Sequence, residues 1–285
     1  MRIFVTGGTG FIGSHVLNHA TANGHEIVAT RRTKNSKTRV SLRKEPIWID
    51  KELPDINIED LAGSKVLLHL AAHSANVPYD DLATCIYWNL VCPLQLFEKA
   101  LSAGIEHFVV AGTCFEYGES GLRYEFIPPT APLEPTQSYP ASKACASIAF
   151  LQWCKEKKAS LSIQRIFQVY GEGELKTRLW PSLKEAALEG SDYSMTKGEQ
   201  IRDFIHVSEV AERLVERCET IATMKGYIEV QNLGSGNPMS IKQFAEFWWS
   251  EWSAKGSLKI GELPYREGEV MRYVPLIENC TEGNC

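Results

Sequence analysis

Tyr139 and Lys143, in the run Tyr139-Pro140-Ala141-Ser142-Lys143, are the residues whose types and spacing best fit proton transfer. At i and i+4 they share one face of a helix. A phenol with an ordinary pKa of about 10 exchanges protons poorly at neutral pH. An ammonium one turn away stabilises its anion, and the same ammonium is placed to reach a ribose. The pattern alone is common by chance and gains meaning from two companions. Thr113 follows the apolar run Phe108-Val109-Val110-Ala111 and Gly112, and offers a hydroxyl where a carbonyl or alcohol oxygen would be held. Near the N-terminus lies Thr6-Gly7-Gly8-Thr9-Gly10-Phe11-Ile12-Gly13.

That glycine segment contains Gly8-x-Gly10-x-x-Gly13 and also Gly7-x-x-Gly10-x-x-Gly13. It comes after a strand-like run and opens a helix, which is the context a dinucleotide fingerprint requires. Its glycines permit a tight turn and close approach of the backbone to a pyrophosphate, which the helix N-terminus then attracts. In NAD-binding proteins an acid about 20 residues on holds the ribose 2′-hydroxyl. Here the second strand ends Ala29-Thr30-Arg31-Arg32-Thr33, with no acid. Guanidinium groups suit a 2′-phosphate, so Arg31 and Arg32 predict NADP(H) over NAD(H).

The elements that must position these groups alternate. Near-continuous apolar runs at 3–5, 26–29, 66–70 and 108–111 read as strands buried on both faces, and a fifth strand is expected at 161–167. Leu90, Leu94, Phe97 and Leu101 recur at helical spacing, with Pro93 in the first turn and Gly104 at the end. Residues 138–158 read as a helix carrying Ala141, Ala144, Cys145, Ile148 and Gln152 along one side. Prolines 128, 129, 132, 135 and 140 mark a loop leading into it. The expected fold is a doubly wound α/β Rossmann sheet with a smaller C-terminal α/β part. The alternation loosens after Gly171, so we divide the chain into a cofactor domain, 1–170, and a substrate-binding part, 171–285, from which the chain re-enters the first domain. The later part holds helices near 181–189 and around Val210, Ala211, Leu214, Val215 and Cys218. A last helix opens on a capping box, Ser240-Ile241-Lys242-Gln243, with Ile241, Phe244, Ala245, Trp248 and Trp252 on one face. Trp248 and Trp252 read as core or a partner face; His69 and His73 read as packing residues.

Composition narrows the class without naming it. The 285 residues are 44% hydrophobic and 23% charged, ordinary for a globular protein. The net charge is −5 and no long basic run exists, which argues against a nucleic-acid partner. No apolar run approaches a membrane span, and the first residues run straight into glycines, so a cytoplasmic location is expected. Cys85, Cys92, Cys114, Cys145, Cys154, Cys218, Cys280 and Cys285 form no CxxC pair, so no metal site is expected.

Taken together, these motifs resemble an extended short-chain dehydrogenase/reductase of the nucleotide-sugar epimerase/dehydratase group. The likeness extends over Leu70-Ala71-Ala72, Asn89, Val169-Tyr170-Gly171, the run Gly198-Glu199-Gln200-Ile201-Arg202-Asp203-Phe204, and Asn232-Leu233-Gly234-Ser235-Gly236. The resemblance implies a catalytic set of Thr113, Tyr139 and Lys143. It implies cofactor contacts at the glycine segment, at Asp50 near the adenine, at Leu70, Ala71 and Ala72, and at Asn89. It puts Arg202 on the pyrophosphate of a nucleotide-sugar substrate. A homodimer paired through helices near 87–102 and 138–158 is implied as well.

Members differ in the residues just after the catalytic threonine. Sugar 4,6-dehydratases carry an Asp-Glu pair there; this chain has Cys114-Phe115, and a phenylalanine transfers no proton. Epimerase–reductases place a catalytic cysteine one residue later than Cys114. A tightly held NAD, as 4-epimerases need, fits poorly with Arg31 and Arg32. The sequence therefore most resembles the nucleotide-sugar 4-ketoreductases, in particular the CDP-paratose and CDP-abequose synthases. That likeness implies NADPH-dependent reduction of a CDP- or dTDP-linked 4-keto-(di)deoxy sugar in deoxysugar biosynthesis. Expected substrate neighbours are Cys114, Glu116, Gln168, Arg178 and Arg202. Gln168 stands where the family usually has asparagine before Val-Tyr-Gly. The alternatives are an NAD(P)-dependent 4-epimerase and, from another class, a non-catalytic NADP-binding regulator.

Overall fold

The apolar runs become the interior of a parallel sheet. In a computed structural model, residues 1–277 are described; Cys280 and Cys285 lie outside them. The strands are β1 (Arg2–Thr6), β2 (Glu26–Arg31), β3 (Ile47–Asp50), β4 (Val66–His69), β5 (His107–Thr113), β6 (Ser160–Ile166), β7 (Gln168–Tyr170), β8 (Tyr193–Met195), β9 (Ile201–His206), β10 (Ile228–Leu233), β11 (Pro238–Ser240), β12 (Leu258–Ile260) and β13 (Arg272–Tyr273). The helices are α1 (Phe11–Ala22), α2 (Ile58–Leu61), α3 (Leu82–Ile86), α4 (Cys92–Ser102), α5 (Ser138–Lys157), α6 (Leu179–Glu189), α7 (Val207–Ile221) and α8 (Ile241–Glu251).

Seven strands form the main sheet, in the order β10-β6-β5-β4-β1-β2-β3, all parallel. The order reverses between β1 and β4, and the crevice outside the carboxyl ends of strands at such a switch point is where ligands bind in this architecture. Apolar layers cover both faces. Val16, Leu17 and Ala20 of α1 pack with Val210, Leu214 and Cys218 of α7 on one. Leu96, Phe97 and Ala100 of α4 pack with Ala146, Phe150 and Trp153 of α5 on the other. There Phe97 lies 4.8 Å from Phe108 and 4.7 Å from Phe150 between ring centroids, close enough for tilted aromatic contact.

Three features differ from the sequence reading. β3 is an addition: it is a four-residue edge strand, mostly half-exposed, too short to show a period. On α5 the stripe of Cys145, Ile148 and Gln152 faces outward. The buried side instead carries Tyr139, Ser142, Lys143, Ser147, Phe150 and Trp153. Polar residues turned inward hide the true inner face from a hydrophobic count. Finally, a π-helical turn at Tyr87–Val91 precedes α4 and turns Asn89 inward.

Beyond residue 170 the chain builds a small sheet, β11-β9-β13 with β7 beside β9, and a pair, β8 with β12. An aromatic cluster of Trp180, Phe204 and Phe244, flanked by Tyr170, Trp248 and Trp252, fills its interior. The Ser240–Gln243 capping box opens α8 as expected. Yet β10 pairs with β6 and α7 packs on α1, so this part is threaded through the first rather than appended to it. Among the described residues no helix is long and apolar enough to cross a membrane.

Candidate active site

A cleft with a cavity of about 880 Å³ opens at the carboxyl ends of β1, β2, β4 and β5. Its floor is the glycine turn. Gly7 has φ +73°, and a Cβ there would sit 2.6 Å from the Ala71 backbone nitrogen. A Cβ on Gly13 would come within 2.1 Å of the Gly7 carbonyl oxygen. These two glycines let α1 press against the turn and the turn against the end of β4. Gly10 caps α1 without a side-chain hydrogen bond, so the N–H groups of the first turn stay available to an anion. The turn is steadied from behind. Ala71 N–H donates to Thr6 Oγ1 at 3.2 Å, and that hydroxyl meets His69 Nδ1 at 2.8 Å. Burial, with help from Lys143, lowers the His69 pKa to about 3, so the imidazole is neutral. This cradle, with basic groups at the end of β2, fits a nicotinamide dinucleotide.

Thr113, Tyr139 and Lys143 all line the same cavity. Thr113 ends β5, and its hydroxyl accepts a hydrogen bond from Phe115 N–H at 3.3 Å. Tyr139 and Lys143 lie in the first two turns of α5. Lys143 Nζ donates to the Ala111 carbonyl at 2.9 Å. Burial lowers the pKa of this ammonium, opposed by Glu116. Burial, reinforced by Glu116, pushes the Tyr139 phenol upward, so it is protonated at neutral pH. The Tyr139 ring packs on Tyr79 at 5.4 Å. Tyr79 carries no signal in the sequence, because it lies in a loop without period.

The remaining expected residues separate into those on the cleft and those held away from it. Gly7, Thr9, Gly10, Phe11, Ile12, Gly13, Arg31, Arg32, Leu70, Ala71, Ala72, Cys114, Gln168 and Arg178 line the cavity. Arg31 is half committed: its Nε donates to Asp50 Oδ1 at 2.5 Å, and its guanidinium lies over Trp48 at 5.0 Å. Lys37 and Arg39, beyond the sequence motif, join Arg31 and Arg32 around this end.

Four placements differ from expectation. Asp50 does not line the cavity, because its carboxylate is spent on Arg31, its neighbour in the β2–β3 register. Asn89 is buried. Its Oδ1 accepts from His73 N–H at 2.7 Å, and its Nδ2 donates to the His73 carbonyl and, at 2.9 Å, to Ser142 Oγ. It therefore ties the loop after β4 to α5. Glu116 is fully buried. It accepts from Arg165 Nε at 2.9 Å, Ser147 Oγ at 2.8 Å and Thr113 N–H at 2.9 Å, and so cannot meet a sugar. Arg202 donates to the Val270 carbonyl at 2.6 Å beside Glu269, outside the cavity lining. Cys114 keeps its place on the wall, but burial pushes its thiol up to about 12, which leaves it a poor acid.

The comparisons with known proteins agree with this geometry. Residues 3–230 match the profile of the NAD dependent epimerase/dehydratase family. The chain is 27% identical over 267 residues to the UDP-glucose 4-epimerase of Corynebacterium glutamicum, covering 86% of this chain and 79% of that protein. It is 26% identical over 265 residues to the dTDP-D-glucose 4,6-dehydratase of Mus musculus, covering 86% and 71%. In structure it is similar to a Thermotoga maritima UDP-glucose 4-epimerase solved with UDP-glucose. The TM-score is 0.83 at 22% identity, over 99% of this chain and 92% of that one, a likeness of fold. The glycine cradle, the parallel switch-point sheet and a match spanning most of the sequence make this chain a member of the NAD dependent epimerase/dehydratase family.

Proposed function

We propose that this enzyme reduces the C4 ketone of a nucleotide-linked 4-keto-deoxy sugar with NADPH. The observation that carries the reading is the cationic end of β2. Arg31, Arg32, Lys37 and Arg39 border the cavity there; of the carboxylates nearby, Asp50 is paired to Arg31, Glu45 accepts from Trp48 Nε1, and Glu52 also lines the cavity, so cations outnumber acids at this end. A 2′-phosphate is attracted by such a cluster, and an NADP(H) preference suits a cofactor consumed in each turnover.

When bound, the nicotinamide supplies the hydride that reaches C4. The chain does the rest. Thr113 Oγ1 holds the carbonyl oxygen. Tyr139, kept protonated by burial, gives its phenolic proton to the developing alkoxide, and Lys143 steadies the resulting phenolate. The wall beside Thr113 supports reduction over elimination: Cys114 is a weak acid, Phe115 is apolar, and Glu116 is locked to Arg165. A 4,6-elimination needs an acid and a base in that position.

A 4-epimerase is the second reading, favoured by the names of several relatives. Net turnover separates the two. Incubation with a panel of CDP-, dTDP-, GDP- and UDP-linked 4-keto sugars gives steady NADPH loss for a reductase and none for an epimerase. In Arg31→Ala/Arg32→Ala the preference for NADPH over NADH falls; an unchanged preference sinks the NADP(H) assignment.

A further inference from the structure

The mechanism leaves two carboxylates on the cleft unused, the exposed Glu52 and the largely buried Glu174. Glu174, in the loop between β7 and α6, lines the cavity with its side chain nine-tenths buried. One oxygen lies 3.7 Å from Arg178 Nε; the other, Oε2, is buried without a hydrogen-bond partner. A half-satisfied buried carboxylate is unfavourable and persists where a nearby charge needs it. Arg178, by contrast, is 44% exposed at the rim of the same cavity, and its single long contact to Glu174 is a loose one. Its charge acts on Tyr79, whose ring packs on Tyr139. Arg178 therefore reaches the Tyr79–Tyr139 side of the cleft, from a loop whose Gly173 packs on Arg39.

We infer that Glu174 is a positioning residue: it parks Arg178 at the rim until the diphosphate of the sugar nucleotide takes over the guanidinium, whereupon the buried Glu174 carboxylate takes up one proton from solvent. The inference rests on the nucleotide-sugar reading above. Two like-charged claimants compete for one arginine, and the one left without it is the buried one. A buried carboxylate deprived of its cation favours its neutral form. Burial already holds the Glu174 carboxyl at about 7, even though Arg178 and the Gly171 backbone N–H both favour its charged form. Neighbouring charges have other partners or lie at the loop's edge. Glu172 pairs with Lys184, and its carbonyl meets His15 of α1. Lys176 pairs with Glu185, Arg39 packs its backbone and Cβ against Gly173, and His206 borders Gly171.

The test is calorimetric titration of the NADPH-loaded enzyme with dTDP-, CDP- and UDP-glucose, whose phosphates stay ionised throughout, in buffers of differing ionisation enthalpy at pH 6 to 8. The expected result is proton uptake on binding, with affinity falling as pH rises through this range. Glu174→Gln should abolish the uptake, flatten the pH profile and bind about two- to fivefold tighter, the scale of a lost weak ion pair. Arg178→Ala should bind roughly ten- to a hundredfold more weakly. Binding without proton uptake, or uptake that persists in Glu174→Gln, overturns the inference and leaves the functional reading intact. If no nucleotide sugar binds, the functional reading fails and takes the inference with it.

Discussion

Truncating Glu116 separates a structural role from a substrate contact. The carboxylate is completely buried and the Arg165 side chain is 4% exposed. In Glu116→Ala three donors lose their acceptor at once: Arg165 Nε, Ser147 Oγ and Thr113 N–H. Arg165 keeps its bonds to the Pro129 carbonyl at 2.8 Å and to Tyr117 Oη at 3.1 Å, but neither carries a negative charge. Breaking a buried pair from one side costs about 3–5 kcal/mol, because the remaining charge is left uncompensated. That is a large share of a typical folding stability of about 5–15 kcal/mol. Urea unfolding followed by tryptophan fluorescence measures the loss. The paired swap Glu116→Leu/Arg165→Met should recover much of it, since an apolar pair of similar volume is often neutral or better. A loss below about 1 kcal/mol in Glu116→Ala, together with a large rise in KM for the sugar nucleotide, would refute the structural assignment and return Glu116 to the substrate.

Other outcomes are expected. Tyr139→Phe should lower kcat by about 10²–10⁴-fold while NADPH binding, read by nicotinamide fluorescence, is retained; intact turnover would void the proton-donor role. Gly13→Ala drives a methyl to 2.1 Å from the Gly7 carbonyl. It should destabilise the fold by about 1–3 kcal/mol and weaken NADPH binding, as thermal melts with and without cofactor would register. Alkylation of the folded protein at pH 8, mapped by peptide, should modify exposed Cys145 and spare Cys114 and Cys154. Burial holds both of these thiols at about 12, so their thiolate fraction at pH 8 is minute. Rapid labelling of Cys114 would contradict its burial.

Local chemistry is the legible part of the sequence. The glycine segment declares itself because φ and volume at Gly7 and Gly13 admit no side chain. Tyr139 and Lys143 are legible because a helix fixes i and i+4 on one face. Strands buried on both sides leave nearly unbroken apolar runs, which is why β1, β2, β4 and β5 can be placed. β3 escapes, since a short edge strand is neither fully buried nor alternating over enough residues. The orientation of α5 is concealed for a related reason: its inner face holds Ser142, Lys143 and Ser147, polar groups that burial tolerates only because partners meet them.

Residue type and spacing by themselves determined that a dinucleotide fold carries a Thr–Tyr–Lys set, and that no acid stands at the end of β2. What each charged side chain is attached to was decided by the tertiary structure. Glu116, Asp50, Asn89 and Arg202 all look available in one dimension, and each is consumed by a neighbour distant in sequence or across a strand register. The physical reason is that a buried polar group must find a partner. That partner is set by which strands and helices meet, and the sequence does not write pairings between elements into either of them alone. Glu174 is the converse case: an ordinary acid in a glycine-rich loop, which the fold buries beside the cleft with one oxygen unpartnered.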